Sequence, residues 1–128
     1  MMDRGEKMRL NTLEERFSIC RAERDAALNV QGRFCFCART DEELSLVCPT
    51  RLVPEGTDRR DDGWRGFRVA GELDFSLIGI LARISEVLAK AEIGIFVVST
   101  YNTDYIFVRE AEFERALAAL RRNGYDIQ

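Results

Sequence analysis

The spacing of apolar residues changes period several times along the second half of the chain, and each change marks an element. Over residues 75–91, Leu77, Ile80, Leu81, Ile84, Val87, Leu88 and Ala91 recur at intervals of three and four, which predicts an amphipathic helix. Ahead of it, Phe67, Val69 and Gly71 alternate with Arg68, Ala70 and Glu72, so residues 64–72 read as a half-exposed strand. Residues 93–99 are apolar on both faces, the pattern of a central strand. Residues 105–109 are rich in β-branched and aromatic side chains, and the polar stretch 100–104 joins the two as a hairpin. A second helical stripe runs over residues 110–122 through Phe113, Ala116, Leu117 and Leu120. Its glutamates come early and its arginines late, and Asn123-Gly124 stops it. Residues 125–128 supply a short last strand at an edge. The order βαββαβ predicts an α+β fold of ferredoxin-like type, with two helices covering one face of an antiparallel sheet.

The first half reads as a reduced copy. Phe34-Cys35-Phe36-Cys37, a polar turn, and Leu44-Ser45-Leu46-Val47 mirror the strand, turn and strand around residues 95–108, with an earlier strand over residues 16–21. Residues 22–32 leave little room for a first helix, and the proline-broken stretch 49–62 stands where a second would be. Residues 55–63 lack any hydrophobic period and read as a linker. The expected organisation is a tail over residues 1–13, a degenerate half over 14–63 and a complete module over 64–128.

Composition narrows the chemistry. The chain has 128 residues, of which 46% are apolar and 32% charged, enough to bury a core without a disulfide or metal. A net charge of −3 argues against nucleic acid or an anionic membrane as partner. Histidine is absent, which removes the commonest general base and metal ligand and with them every imidazole-dependent triad or zinc site. The N-terminus has the pattern of neither a signal peptide nor an anchor, so a cytoplasmic protein is expected. Cys35 and Cys37 share a strand face, but Cys20 and Cys48 stand at no zinc-finger spacing. All four are read as buried free thiols, with no metal and no cofactor.

The string Gly71-Glu72-Leu73-Asp74-Phe75-Ser76-Leu77-Ile78-Gly79-Ile80-Leu81, with Gly94-Ile95 and Ser99-Thr100-Tyr101-Asn102-Thr103-Asp104-Tyr105-Ile106, resembles the ACT domain. It is most similar to small bacterial tandem-ACT proteins related to CASTOR-type arginine sensors and to the regulatory domains of aspartate kinases. The likeness covers residues 64–128 and, in the first half, rests on residues 41–49. It implies an amino-acid-binding regulatory module whose ligand sits where two ACT units meet, between a strand-to-helix turn of one and a strand edge of its neighbour.

The residues permit that chemistry on their own terms. A free amino acid needs donors near its carboxylate and an acceptor near its ammonium. The turn into the first helix, through Phe75, Ser76, Ile78 and Gly79, leaves backbone N–H groups that can hold a carboxylate, and Gly79 has no side chain to block approach. Close packing on the sheet is the other reading of Gly79. Asp74 faces the ligand ammonium or caps the helix. Asp104, after a polar turn, pairs with an ammonium or guanidinium or braces the turn. Ser99, Thr100, Tyr101 and Asn102 are lids over the pocket or plain turn residues. The expected function is therefore a non-catalytic sensor, a homodimer through an exposed strand edge. The alternative is a structural or oligomerisation module of the same fold without a ligand.

Overall fold

Three residues of the first helical stripe, Ile80, Ile84 and Leu88, are buried along one side of α1 (Ile80–Lys90). Those of the second stripe, Phe113, Ala116, Leu117 and Leu120, are buried along α2 (Phe113–Arg122), which a 3₁₀ turn (Glu110–Glu112) precedes. The computed structural model describes residues 8–71 and 78–128. Its strands are β1 (Arg9–Thr12), β2 (Phe17–Ala22), β3 (Phe36–Arg39), β4 (Leu44–Pro49), β5 (Arg59–Val69), β6 (Phe96–Ser99), β7 (Asp104–Arg109) and β8 (Asp126–Ile127). The chain divides into two compact units, one of residues up to 14 with 65–128, the other of residues 15–64. The long strand β5 contributes its first residues to the second of these and its last to the first.

In the unit containing the helices, the strand order is β8-β1-β5-β7-β6. Phe67 and Val69 of β5, Ile106 and Val108 of β7 and Leu10 of β1 form one core with both helices. Alternation along β5 and β7 puts these side chains on the helix-covered face, as period two requires. The second helix ends as expected: Gly124, at φ 92°, lets the Tyr125 N–H turn back to the Leu120 carbonyl at 3.1 Å.

Several expectations change here. Arg9–Thr12, expected as tail, is a strand inserted between β5 and β8, antiparallel to the first and parallel to the second, so the sheet is not purely antiparallel. Strand β6, expected to be central, is an edge strand paired only with β7 among the described residues. Apolar residues on both faces mark a strand half-buried on each side, and here Phe96, Val97 and Val98 are all only partly covered. The presumed linker over residues 55–63 contributes Arg59–Gly63 to β5, because backbone pairing with β2 needs no apolar period.

The other unit has the antiparallel order β3-β4-β2-β5 and no α-helix, only a 3₁₀ turn (Thr50–Leu52). Leu28, Val30 and Val53 from its connecting segments pack on Cys20, Leu46 and Cys48 in place of a helix. Buried Ser18 on β2 donates to Asp62 at 2.5 Å and meets the Thr50 hydroxyl at 2.8 Å, while Arg60 binds the same carboxylate at 3.1 and 3.2 Å. The Ser18 hydroxyl first, then Arg60, holds the Asp62 carboxyl below its ordinary value. Arg51 does the same for Glu15 across a 2.7 Å pair. A carboxyl whose folded pKa is depressed stabilises the fold above its unfolded pKa and loses that contribution as pH falls through the folded one. Stability is therefore expected to hold from neutral pH down to about pH 5 and decline below about pH 4. Urea midpoints against pH check this: Asp62→Asn should flatten part of the acid decline, and an unchanged slope would refute the assignment.

Candidate functional site

The sequence-nominated residues on the hairpin come together through its register. Ser99 of β6 is paired directly with Asp104 of β7, and the Ser99 hydroxyl donates to the Asp104 carboxylate at 2.6 Å. Both share the parity of Val97 and Ile106, so both side chains lie on the helix-covered face. Between them the turn is closed by the Thr100 N–H on the Thr103 carbonyl at 2.9 Å and by the Thr100 hydroxyl on the same oxygen at 3.0 Å. Tyr101 and Asn102 form its exposed tip.

A residue that sequence reasoning missed fixes this turn in space. Thr103 is buried, and its hydroxyl donates to the Val69 carbonyl at 2.8 Å, tying the hairpin tip to the end of β5. No hydrophobic period flags a threonine with this role. At the same end of the sheet, the Ala70 N–H bonds to Arg9 and the Asp126 N–H to Met8, at 2.9 and 3.0 Å, which brings in the start of β8. The first turn of α1 also lies here, since Arg83 lies near enough to the Tyr125 phenol to act on it electrostatically.

Gly79 does not lie inside the helix as expected. It is the residue before it, at φ 81°, a left-handed conformation that side chains resist. Its carbonyl accepts the Arg83 N–H at 3.0 Å, the first intrahelical bond. The N–H groups of Ile80, Leu81 and Ala82 precede that bond and have no intrahelical acceptor. Among the described residues no side chain caps them, and the first turn contains no acid. Among the described residues, none from the sheet packs on Gly79: a Cβ there would meet the Arg83 guanidinium, at 3.4 Å. Ile78 is 87% exposed beside it. Asp74, Phe75 and Ser76 lie outside the described residues.

One end of this unit thus presents an acid bound through one oxygen to a serine, the Thr100 hydroxyl, and a helix start rich in donors. Charge of each sign has a complement there, which is what a zwitterion requires. The cysteines stand elsewhere, and not all are buried as expected. Cys20 and Cys48 are buried, Cys35 is half-buried, and Cys37 is exposed because β3 is an edge strand. Burial, reinforced by Cys20 and Cys35, pushes the Cys48 thiol up to about 12. Among the described residues no group of three or more cysteines and carboxylates could hold a metal ion.

Comparison with known proteins agrees with this architecture. The ACT domain profile matches residues 59–122. The cytosolic arginine sensor for mTORC1 subunit 1 of Mus musculus is 32% identical over 83 residues, which are 64% of this chain and 24% of that protein. The chain thus spans about a quarter of the length of the curated relatives it matches. A solved protein of Agobacterium tumefaciens superposes with a TM-score of 0.86 at 31% identity, covering 97% of this chain and 94% of that one. The ligand-free regulatory subunit of aspartate kinase from Thermus thermophilus shares the fold, with a TM-score of 0.60 at 9% identity over 88% of this chain and 95% of that one. With half its length matched by the profile and its βαββαβ unit intact, the chain belongs to the ACT domain family.

Proposed function

We propose that the protein is a regulatory module that binds a free amino acid and catalyses nothing. The observation that carries this reading is the convergence, at one end of the sheet, of the Ser99–Asp104 pair with the start of α1 behind Gly79, which no described side chain caps. The ligand carboxylate would be received by the N–H groups at the helix start and its ammonium by Asp104, with Tyr101, Asn102 and Ile78 lying over it and Thr100 beside it. Asp74, Phe75 and Ser76 are included in the proposed site on the ACT resemblance of their string. A second copy of the chain would complete the site by pairing at the edge strand β6, whose apolar residues are half-covered. None of the described helices is long and apolar enough to cross a membrane, and we place the module in the cytoplasm.

The test is thermal unfolding of the folded protein against each of the twenty amino acids. A ligand at a hundredfold excess over its Kd contributes about 2.7 kcal/mol, which for a chain of this size raises Tm on the order of 10 °C. One or a few amino acids should do so, and Asp104→Ala should abolish the rise while leaving the oligomer unchanged. Stabilisation by none of the twenty would favour the structural, ligand-free module instead.

A further inference from the structure

The outer side of α1 carries a concavity that starts from the same first turn of that helix. It is a cleft of about 270 Å³ between α1 and the connection from α2 to β8, lined by Arg83, Glu86, Val87, Lys90, Asn123 and Tyr125. A volume just below the usual range of drug-sized pockets suits an ion or a very small molecule.

The polar groups in this cleft are unbalanced. Glu86 is the one carboxylate among its described lining residues, and Lys90 neutralises it at 3.0 Å. Arg83 has no carboxylate within ion-pair reach among the described residues, although Glu86 stands three residues on along the same helix. Its guanidinium instead lies back over Gly79 and close to Tyr125. The Tyr125 ring packs against the core, and its hydroxyl has no hydrogen-bond partner among the described residues. Asn123 is held in place by its amide, which donates to the Ala119 carbonyl at 2.8 Å and keeps a second N–H. Three of these four donors are on rigid supports: two on a helix and one on a core-anchored ring. Among the described residues one positive charge is left over, with no carboxylate opposite it.

We propose that this cleft is a binding site for a small oxyanion, a phosphate or a carboxylate, gripped by Arg83 and the Tyr125 hydroxyl with Lys90 and Asn123 at its rim. A guanidinium and a phenol lining one cleft offer N–H and O–H donors to the oxygens of such an anion. Because Arg83 belongs to the first turn of α1, an occupant would brace that turn against the start of β8. The inference does not rest on amino-acid binding at the hairpin.

Isotope-labelled full-length protein is titrated, with amide NMR shifts followed, in three arms at matched ionic strength: inorganic phosphate, acetate and sodium chloride. Saturable shifts at Arg83, Asn123 and Tyr125 with phosphate, and none with chloride, are expected. Saturation by acetate as well identifies a carboxylate site, and saturation by phosphate alone a phosphate site. Arg83→Gln should weaken binding about tenfold or more, and Tyr125→Phe, which keeps the ring in the core, by a smaller factor. Shifts that are linear and equal for phosphate and chloride would overturn the proposal, as would either anion binding Arg83→Gln as tightly as the parent. Should Arg83→Gln unfold, undiminished binding by Tyr125→Phe together with Lys90→Gln overturns it equally.

Discussion

Replacing Phe67 with alanine is expected to lower the unfolding free energy by about 3 to 5 kcal/mol, the cost of deleting a buried aromatic side chain. Phe67 is fully buried in β5, opposite Thr12 of β1, and belongs to the core formed with α1 and α2. Its ring faces Leu10, Val69 and the buried faces of two helices, so the void left behind has rigid walls and little means to collapse. A chain of this length is stable by roughly 6 to 19 kcal/mol, so one ring accounts for a large share. Urea unfolding should show the midpoint falling with an unchanged slope. Phe67→Leu, which keeps most of the volume, should cost under about 1.5 kcal/mol. An alanine variant losing no more than the leucine one would mean that the core relaxes around the gap.

The neighbouring residue is expected to be sensitive in the opposite sense. Gly66 is buried on the other face of β5, and a Cβ there would lie 2.8 Å from both Cδ1 and Cε1 of Phe107. Real contacts do not come so close, and Phe107 is itself fully buried, so its ring has nowhere to swing. Gly66→Ala should therefore destabilise by about 2 kcal/mol, and Gly66→Val by more. Gly66 has no positive φ, so the cost arises from space and not from backbone conformation. A double-mutant cycle separates the two causes: Phe107→Leu combined with Gly66→Ala should cost less than the sum of the single changes. Strict additivity would place the penalty in the backbone instead.

Both helices of the ACT unit were legible because each buries one face against a sheet, which imposes a repeat of three and four on Ile80, Ile84 and Leu88 and on Phe113, Ala116, Leu117 and Leu120. The hairpin was legible too, since five polar residues between two apolar runs leave few alternatives. Where pairing rather than burial defines an element, the pattern was silent. Arg59–Gly63 is in a strand although largely exposed, and Arg9–Thr12 is a strand of only four residues whose single buried side chain is Leu10. A period cannot be read from so short or so exposed a segment.

The candidate site divides along the same line. Ser99, Thr100, Tyr101, Asn102 and Asp104 were nominated from a polar turn and a family resemblance, and local register alone brings Ser99 onto Asp104. Thr103 and Arg83 were not nominated. The first matters because its hydroxyl reaches Val69, thirty-four residues earlier, and the second because its guanidinium lies by Tyr125.

The linear order of residues was enough to establish the α+β class, the ACT family, the two amphipathic helices and the hairpin, because periodicity and turn chemistry act over a few neighbouring residues. Tertiary structure alone decided that β1 lies between β5 and β8, that β6 is an edge strand, that Gly79 ends a turn before α1 instead of lying within it, and that Gly66 must stay small. Each of those depends on which distant strand or side chain arrives alongside, and contacts of that kind leave no period in the chain.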